Sequence, residues 1–89
     1  MSFFDLSQFY KNFAELYSAG IDTLTTIEAL KKTEKQVNKI HSMNLVSHNL
    51  KSGRSLFQSF RVTGFVPVFD LPVIKAAEDS GRIVDVFKM

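Results

Sequence analysis

A glycine set between two helical patterns, only a few residues apart, restricts this chain most. Phe9, Tyr10, Phe13, Leu16 and Tyr17 recur at three- and four-residue steps and so share one helical face. Leu24, Ile27 and Leu30 do the same, and Ala19-Gly20-Ile21 stands between the two groups. Glycine directly after a periodic run stops a helix, because it takes a positive φ with no Cβ to clash. One helix must end, turn within about three residues and give way to a second that lies beside it. Gly53 and Gly81 repeat the device. The expected fold is all-α: a compact antiparallel bundle of about six helices, with no sheet, over the single domain 1–89.

The first helix begins at Ser2 or Asp5, each with a polar partner three residues on, and ends near Ala19. Asp22 or Thr23 caps a second that reaches about Lys32. Thr33 breaks the pattern and is placed to cap a third, from about Lys35 to Ser52. Its inner face carries Val37, Ile40, Met43, Val46 (or Ser47) and Leu50. Ser55-Leu56-Phe57-Gln58 is a capping box opening a short fourth helix that ends by Thr63-Gly64. Phe65-Val66-Pro67-Val68-Phe69 has no strand to pair with and reads as a buried connection or a first helical turn. A fifth helix follows Pro72, with Leu71, Ile74, Ala77 and Val73 as its inner residues, and stops at Ser80-Gly81. Ile83, Val84, Val86 and Phe87 begin a sixth. The apolar pattern runs to Met89 without a cap, which reads as a fragment of a longer protein.

Size limits what such a chain can do. With 89 residues it buries only about 60% of its unfolded surface, so its core must be efficient or shared. Nine Phe help, since each ring gives much buried area for little rotamer entropy. Phe57, Phe60, Phe65, Phe69 and Phe87 exceed what so small a core readily hides, which makes them candidates for an interface with a second copy or another protein. No Cys is present, so disulfides and thiolate metal sites are excluded. No apolar run reaches the ~18–20 residues that span a bilayer, and the N-terminus lacks a signal-peptide pattern.

Chemistry is sparse. His41 and His48 stand two turns apart on a helix, about 10.5 Å along its axis, too far to chelate one ion unaided. Gly53-Arg54-Ser55 lacks the second Gly and the Lys of a phosphate loop. The net charge is +2, and the excess at Lys31, Lys32, Lys35 and Lys39 is diluted by Glu28 and Glu34. That pattern suits a solvated face better than a nucleic-acid footprint. Glu78 and Asp79 lie near a helix C-terminus, where the macrodipole disfavours negative charge, so a compensating partner is expected. Lys75, Arg82, the N-terminus of an adjacent helix or a hard cation could each supply it.

Taken in order, several short motifs carry a resemblance. They are Leu16-Tyr17-Ser18-Ala19-Gly20-Ile21, Ala29-Leu30, Gly53-Arg54-Ser55-Leu56, the Phe-rich stretch Phe65 to Phe69, and Glu78-Asp79-Ser80-Gly81-Arg82-Ile83. In this order and spacing they resemble the cytoplasmic domain of the type II secretion system F protein, a family shared with the inner-membrane platform protein of type IV pilus assembly. Ala77 stands where that family commonly has Gly, and Asp22 where it often has Pro. The resemblance implies a non-enzymatic domain at the cytoplasmic face of a bacterial inner membrane, joined to membrane helices outside this chain. It implies docking to the secretion or pilus ATPase and to other platform proteins, self-association as a homodimer or higher oligomer, and no cofactor or nucleic acid. Gly20, Gly53, Glu78, Ser80 and Gly81 are its motif residues here. A soluble helical adaptor, or a helix-turn-helix nucleic-acid binder using Lys31 to Lys39, is the alternative; a small enzyme has no nucleophile, base or metal cluster to stand on.

Overall fold

A computed structural model describes residues 4–89; the Ser2 start considered above lies outside them. Six α-helices follow one another: α1 (Leu6–Ser18), α2 (Thr23–Thr33), α3 (Val37–Lys51), α4 (Leu56–Thr63), α5 (Leu71–Ser80) and α6 (Ile83–Phe87). A single 3₁₀ turn, Val68–Asp70, leads into α5, and no strand occurs among the described residues. The fold is an all-α bundle.

Local chemistry sets most of the boundaries. Asp5 caps α1 by accepting from the Gln8 amide at 3.0 Å, and Asp22 caps α2 through the Thr25 amide at 2.8 Å. Thr33 does not cap α3. It is the last residue of α2, and its hydroxyl donates back to the Leu30 carbonyl. The acceptor near the start of α3 is instead the Glu34 carboxylate, bonded by the Gln36 amide at 3.0 Å. The three predicted glycine stops share one geometry. After each, the next amide reaches five residues back: Ile21 to Leu16, Arg54 to Asn49, and Arg82 to Ala77. These are Schellman closures, and Gly20, Gly53 and Gly81 have φ of 91°, 96° and 72°. Gly64 ends α4 by the simpler route, a single bond from its amide to Phe60.

The helices form a ring. Each of the extended interfaces joins neighbours in sequence, except one that closes α6 onto α1. Inside lie Phe9, Phe13, Ile27, Met43, Phe60 and Phe65, with Ile74, Ile83 and Phe87 from the last two helices. Aromatic rings dominate the middle: Phe9 meets Phe65 edge-on at 5.0 Å between centroids, and Phe60 stacks on Phe65 at 5.4 Å. Phe13 and Tyr10 both touch Phe87, at 5.4 and 4.9 Å, and this contact makes the α1–α6 seam.

Four residues expected inside face water. Of the connection read as buried or as a first helical turn, Phe65 and Val66 are covered but Val68 and Phe69, on the 3₁₀ turn, are not. Val37 and Val73 are the other two. Val37 is exposed because α3 begins there, two residues later than its periodicity suggested, leaving the first turn beyond the neighbouring helices. Val73 is exposed because the buried stripe of α5 runs through Ile74 and Ala77, with Leu71 partly covered.

Candidate functional site

The first turn of α4 is where the two best-defined motifs meet. A helix opens with four backbone amides that have no partner within it. Here all four are used. The Ser55 amide donates to Gln58 Oε1 at 3.0 Å, and the Gln58 amide returns to Ser55 Oγ at 3.1 Å, completing the capping box. The two amides between them go to another helix: Leu56 donates to Glu78 Oε2 at 2.8 Å and Phe57 to Glu78 Oε1 at 3.0 Å. Glu78 sits in the last turn of α5, where its own helix dipole is unfavourable. The positive end of α4 provides the compensation, in a part-buried setting where such bonds count for more.

The other charges nearby pair elsewhere. Lys75 holds Asp79 at 2.9 Å, and Arg82 approaches Asp85 at 3.6 Å, so neither serves Glu78. Ser80 turns its hydroxyl back to the Ala76 carbonyl at 2.8 Å, within its own helix. Among the described residues no three His, Cys, Asp or Glu side chains converge, and His41 and His48 are both exposed on α3.

The five candidate interface phenylalanines separate sharply. Phe60, Phe65 and Phe87 are core residues, at most 3% exposed, because the ring of helices closes around them. Phe57 is half-buried, with the Arg61 guanidinium 5.2 Å and the Lys75 ammonium 5.6 Å from its ring centre. Phe69 alone stands free, 91% exposed on the 3₁₀ turn beside Val68 at 77%. With Val73 they make an apolar edge at the entry to α5.

The lysine-rich segment is partly spent within the molecule. Lys31 binds Asn44 Oδ1 at 2.7 Å and pairs with Glu28, while Lys39 lies 4.7 and 5.2 Å from the ring centres of Phe4 and Phe65. Lys32 and Lys35 remain exposed.

One pairing had no counterpart in the sequence reading. The Tyr10 hydroxyl, on α1, donates to Asp70 Oδ2 at 2.7 Å, sixty positions along the chain. Burial, then the hydrogen bond and the charge of Asp70, push the Tyr10 phenol far above its ordinary value of 10.0. It therefore stays a donor across the working pH range. No local signal in sequence marks a partnership at that separation.

Comparison of the chain with family models, curated proteins and solved structures finds no match. No helix among the described residues is long and apolar enough to cross a membrane.

Proposed function

We propose that this domain is a non-enzymatic docking module of a secretion or pilus assembly platform, of the type II secretion F protein kind, at the cytoplasmic face of the bacterial inner membrane. The observation that carries the reading is the α4–α5 junction. Gly53-Arg54-Ser55-Leu56 and Glu78-Asp79-Ser80-Gly81, two of the motifs on which the resemblance rests, are held together by the Glu78 carboxylate. Motifs that form one structural unit are a stronger ground for kinship than motifs scattered over unrelated surfaces. The free apolar edge at Val68 and Phe69 supports a docking role, since exposed apolar surface marks contact sites.

On this reading the chain docks the secretion or pilus ATPase and other platform proteins, associates with itself, and reaches the membrane through segments outside residues 1–89. Two measurements test it. The reading frame that contains this sequence should encode apolar runs of ~20 residues flanking the domain, with Lys or Arg on its side. The purified domain should co-elute with the secretion ATPase or a platform protein encoded beside it. A frame without such runs, together with no co-elution, would overturn the proposal. A salt-dependent shift of a DNA duplex would put the nucleic-acid reading in its place.

A further inference from the structure

We propose that the groove between α1, α5 and α6 is a socket for a lysine or arginine side chain, presented by an amphipathic helix of another protein, with Asp70 as its counter-charge. The groove encloses about 220 Å³ and is walled by Val73, Val86, Phe87 and Met89, with Tyr10 and Asp70 as its polar members. That is below the ~300–1,000 Å³ usual for small-molecule sites and is the scale of a side chain.

Charge decides the occupant. Asp70 receives the Tyr10 hydroxyl on one oxygen, and its other oxygen carries no hydrogen bond among the described residues. It occupies the N-cap position of α5 yet makes no side-chain cap bond there. No Lys, Arg or His lies within ion-pairing distance of it among the described residues. Asp70 thus has a carboxylate oxygen to offer in a groove whose other lining, Tyr10 apart, is apolar. A lysine or arginine matches both features at once. Its methylenes lie along Val73 and Val86 while its head reaches Asp70.

The surroundings specify the rest of the partner. A second shallow, mostly apolar depression, lined by Pro72, Ala76 and Ala77 with Ser80 and Arg82, shares Val73 and Val86 with the first. Arg82 is turned to Asp85 at 3.6 Å, and Phe69 stands exposed one residue before Asp70. A basic residue set within the apolar face of a helix fits this sequence of surfaces, as in other helix-in-groove docking. Such a socket belongs to the docking role proposed above and rests on it. It is tested with a synthetic probe, so its failure and that of the platform reading are separately visible.

The probe is a helical peptide of about 18 residues, long enough to hold helix, whose apolar face carries one central Lys; its match has Gln there. Titrated into the isotope-labelled domain and followed by NMR, the Lys peptide should shift Tyr10, Val73, Val86 and Met89. The Gln peptide should bind roughly fivefold more weakly, and Asp70→Asn should erase that difference. Asp85→Asn, which removes an exposed carboxylate elsewhere on α6, should leave it intact. Equal binding of the two peptides, no saturable shift at the groove, or a lysine preference that survives in D70N would each overturn the proposal. Should D70N disturb the fold, Val73→Lys at its exposed position serves instead: it must abolish groove binding, and undiminished binding refutes the socket. Groove shifts that grow with domain concentration alone would assign the surface to a second copy. The same shifts with phosphatidylglycerol vesicles alone would assign it to lipid. Either result removes the proposed occupant.

Discussion

Glu78 and Leu56, twenty-two positions apart, are joined by a 2.8 Å hydrogen bond from the backbone amide of one to the carboxylate of the other. With the Phe57 bond beside it, this single side chain fixes the start of one helix to the end of the next.

Glu78→Gln should therefore lower stability by about 1–2 kcal/mol, since an amide keeps one acceptor but loses the charge and presents a donor to the second N–H. Asp79→Asn, which affects only an exposed pair with Lys75, should change it by less than about 0.5 kcal/mol. Urea unfolding of the two variants distinguishes them. Equal small effects would mean that Glu78 is a solvated charge.

Gly81 gives a test of backbone geometry free of steric complication. A Cβ built on it meets nothing within 4 Å, so only its φ of 72° opposes a side chain. Gly81→Ala should cost about 1 kcal/mol and Gly81→Val more, while Gly81→Asn should recover much of the loss because Asn tolerates left-handed φ. Thermal unfolding of the three in one buffer checks the order.

The phenylalanines should divide by burial rather than by type. Phe60→Ala empties part of a fully enclosed site and should cost about 3–5 kcal/mol, enough to unfold a domain of this size. Phe69→Ala should leave stability within about 0.5 kcal/mol, because its ring is already in water. Any loss of partner binding in the Phe69 variant would then report the surface and not the fold.

Glu28 predicts a modest acid sensitivity. The hydrogen bond from Lys31, and the charges of Lys31 and Lys51, hold its carboxyl below the ordinary 4.5. A group whose folded value is lowered stabilises the fold above the unfolded value and loses that contribution as pH falls through the folded one. Wild type should exceed Glu28→Gln by a steady amount above pH 4.5, about 0.5 kcal/mol after allowance for solvent screening. The difference should shrink below that pH. Chemical denaturation at several pH values measures the gap, and a gap that widens in acid would contradict the assignment.

What could be read in the sequence was local. Ser55 and Gln58 announce a helix start because both partners lie within one turn, and Gly20, Gly53 and Gly81 announce stops because only glycine accepts that geometry cheaply. The requirement that Glu78 be compensated was also visible, since it follows from a carboxylate at a helix C-terminus. The choice of partner was not, because Lys75 and Arg82 were nearer in sequence than Leu56. Periodicity placed Val37 and Val73 on inner faces, but only the neighbouring helices determine how far round each stripe is covered. Counting phenylalanines could not separate Phe69 from Phe65: four residues apart, one stands on an exposed turn and the other beneath Phe9 and Phe60. Tyr10 and Asp70 meet only because the last two helices return to the first.

That return has a kinetic consequence. An array in which each helix touches only its neighbours can fray inward from either extremity, as linear repeat arrays do. The five-residue α6 would be the first to go, being far too short to persist alone. Its Phe87, set against Tyr10 and Phe13, ties it instead to the opposite extremity, so neither flank can loosen without exposing the other. Amide protons of α1 and α6 should then exchange together, and at a rate close to that of the centre of the molecule. The shortest helix of the six would be the one that makes unfolding all-or-none.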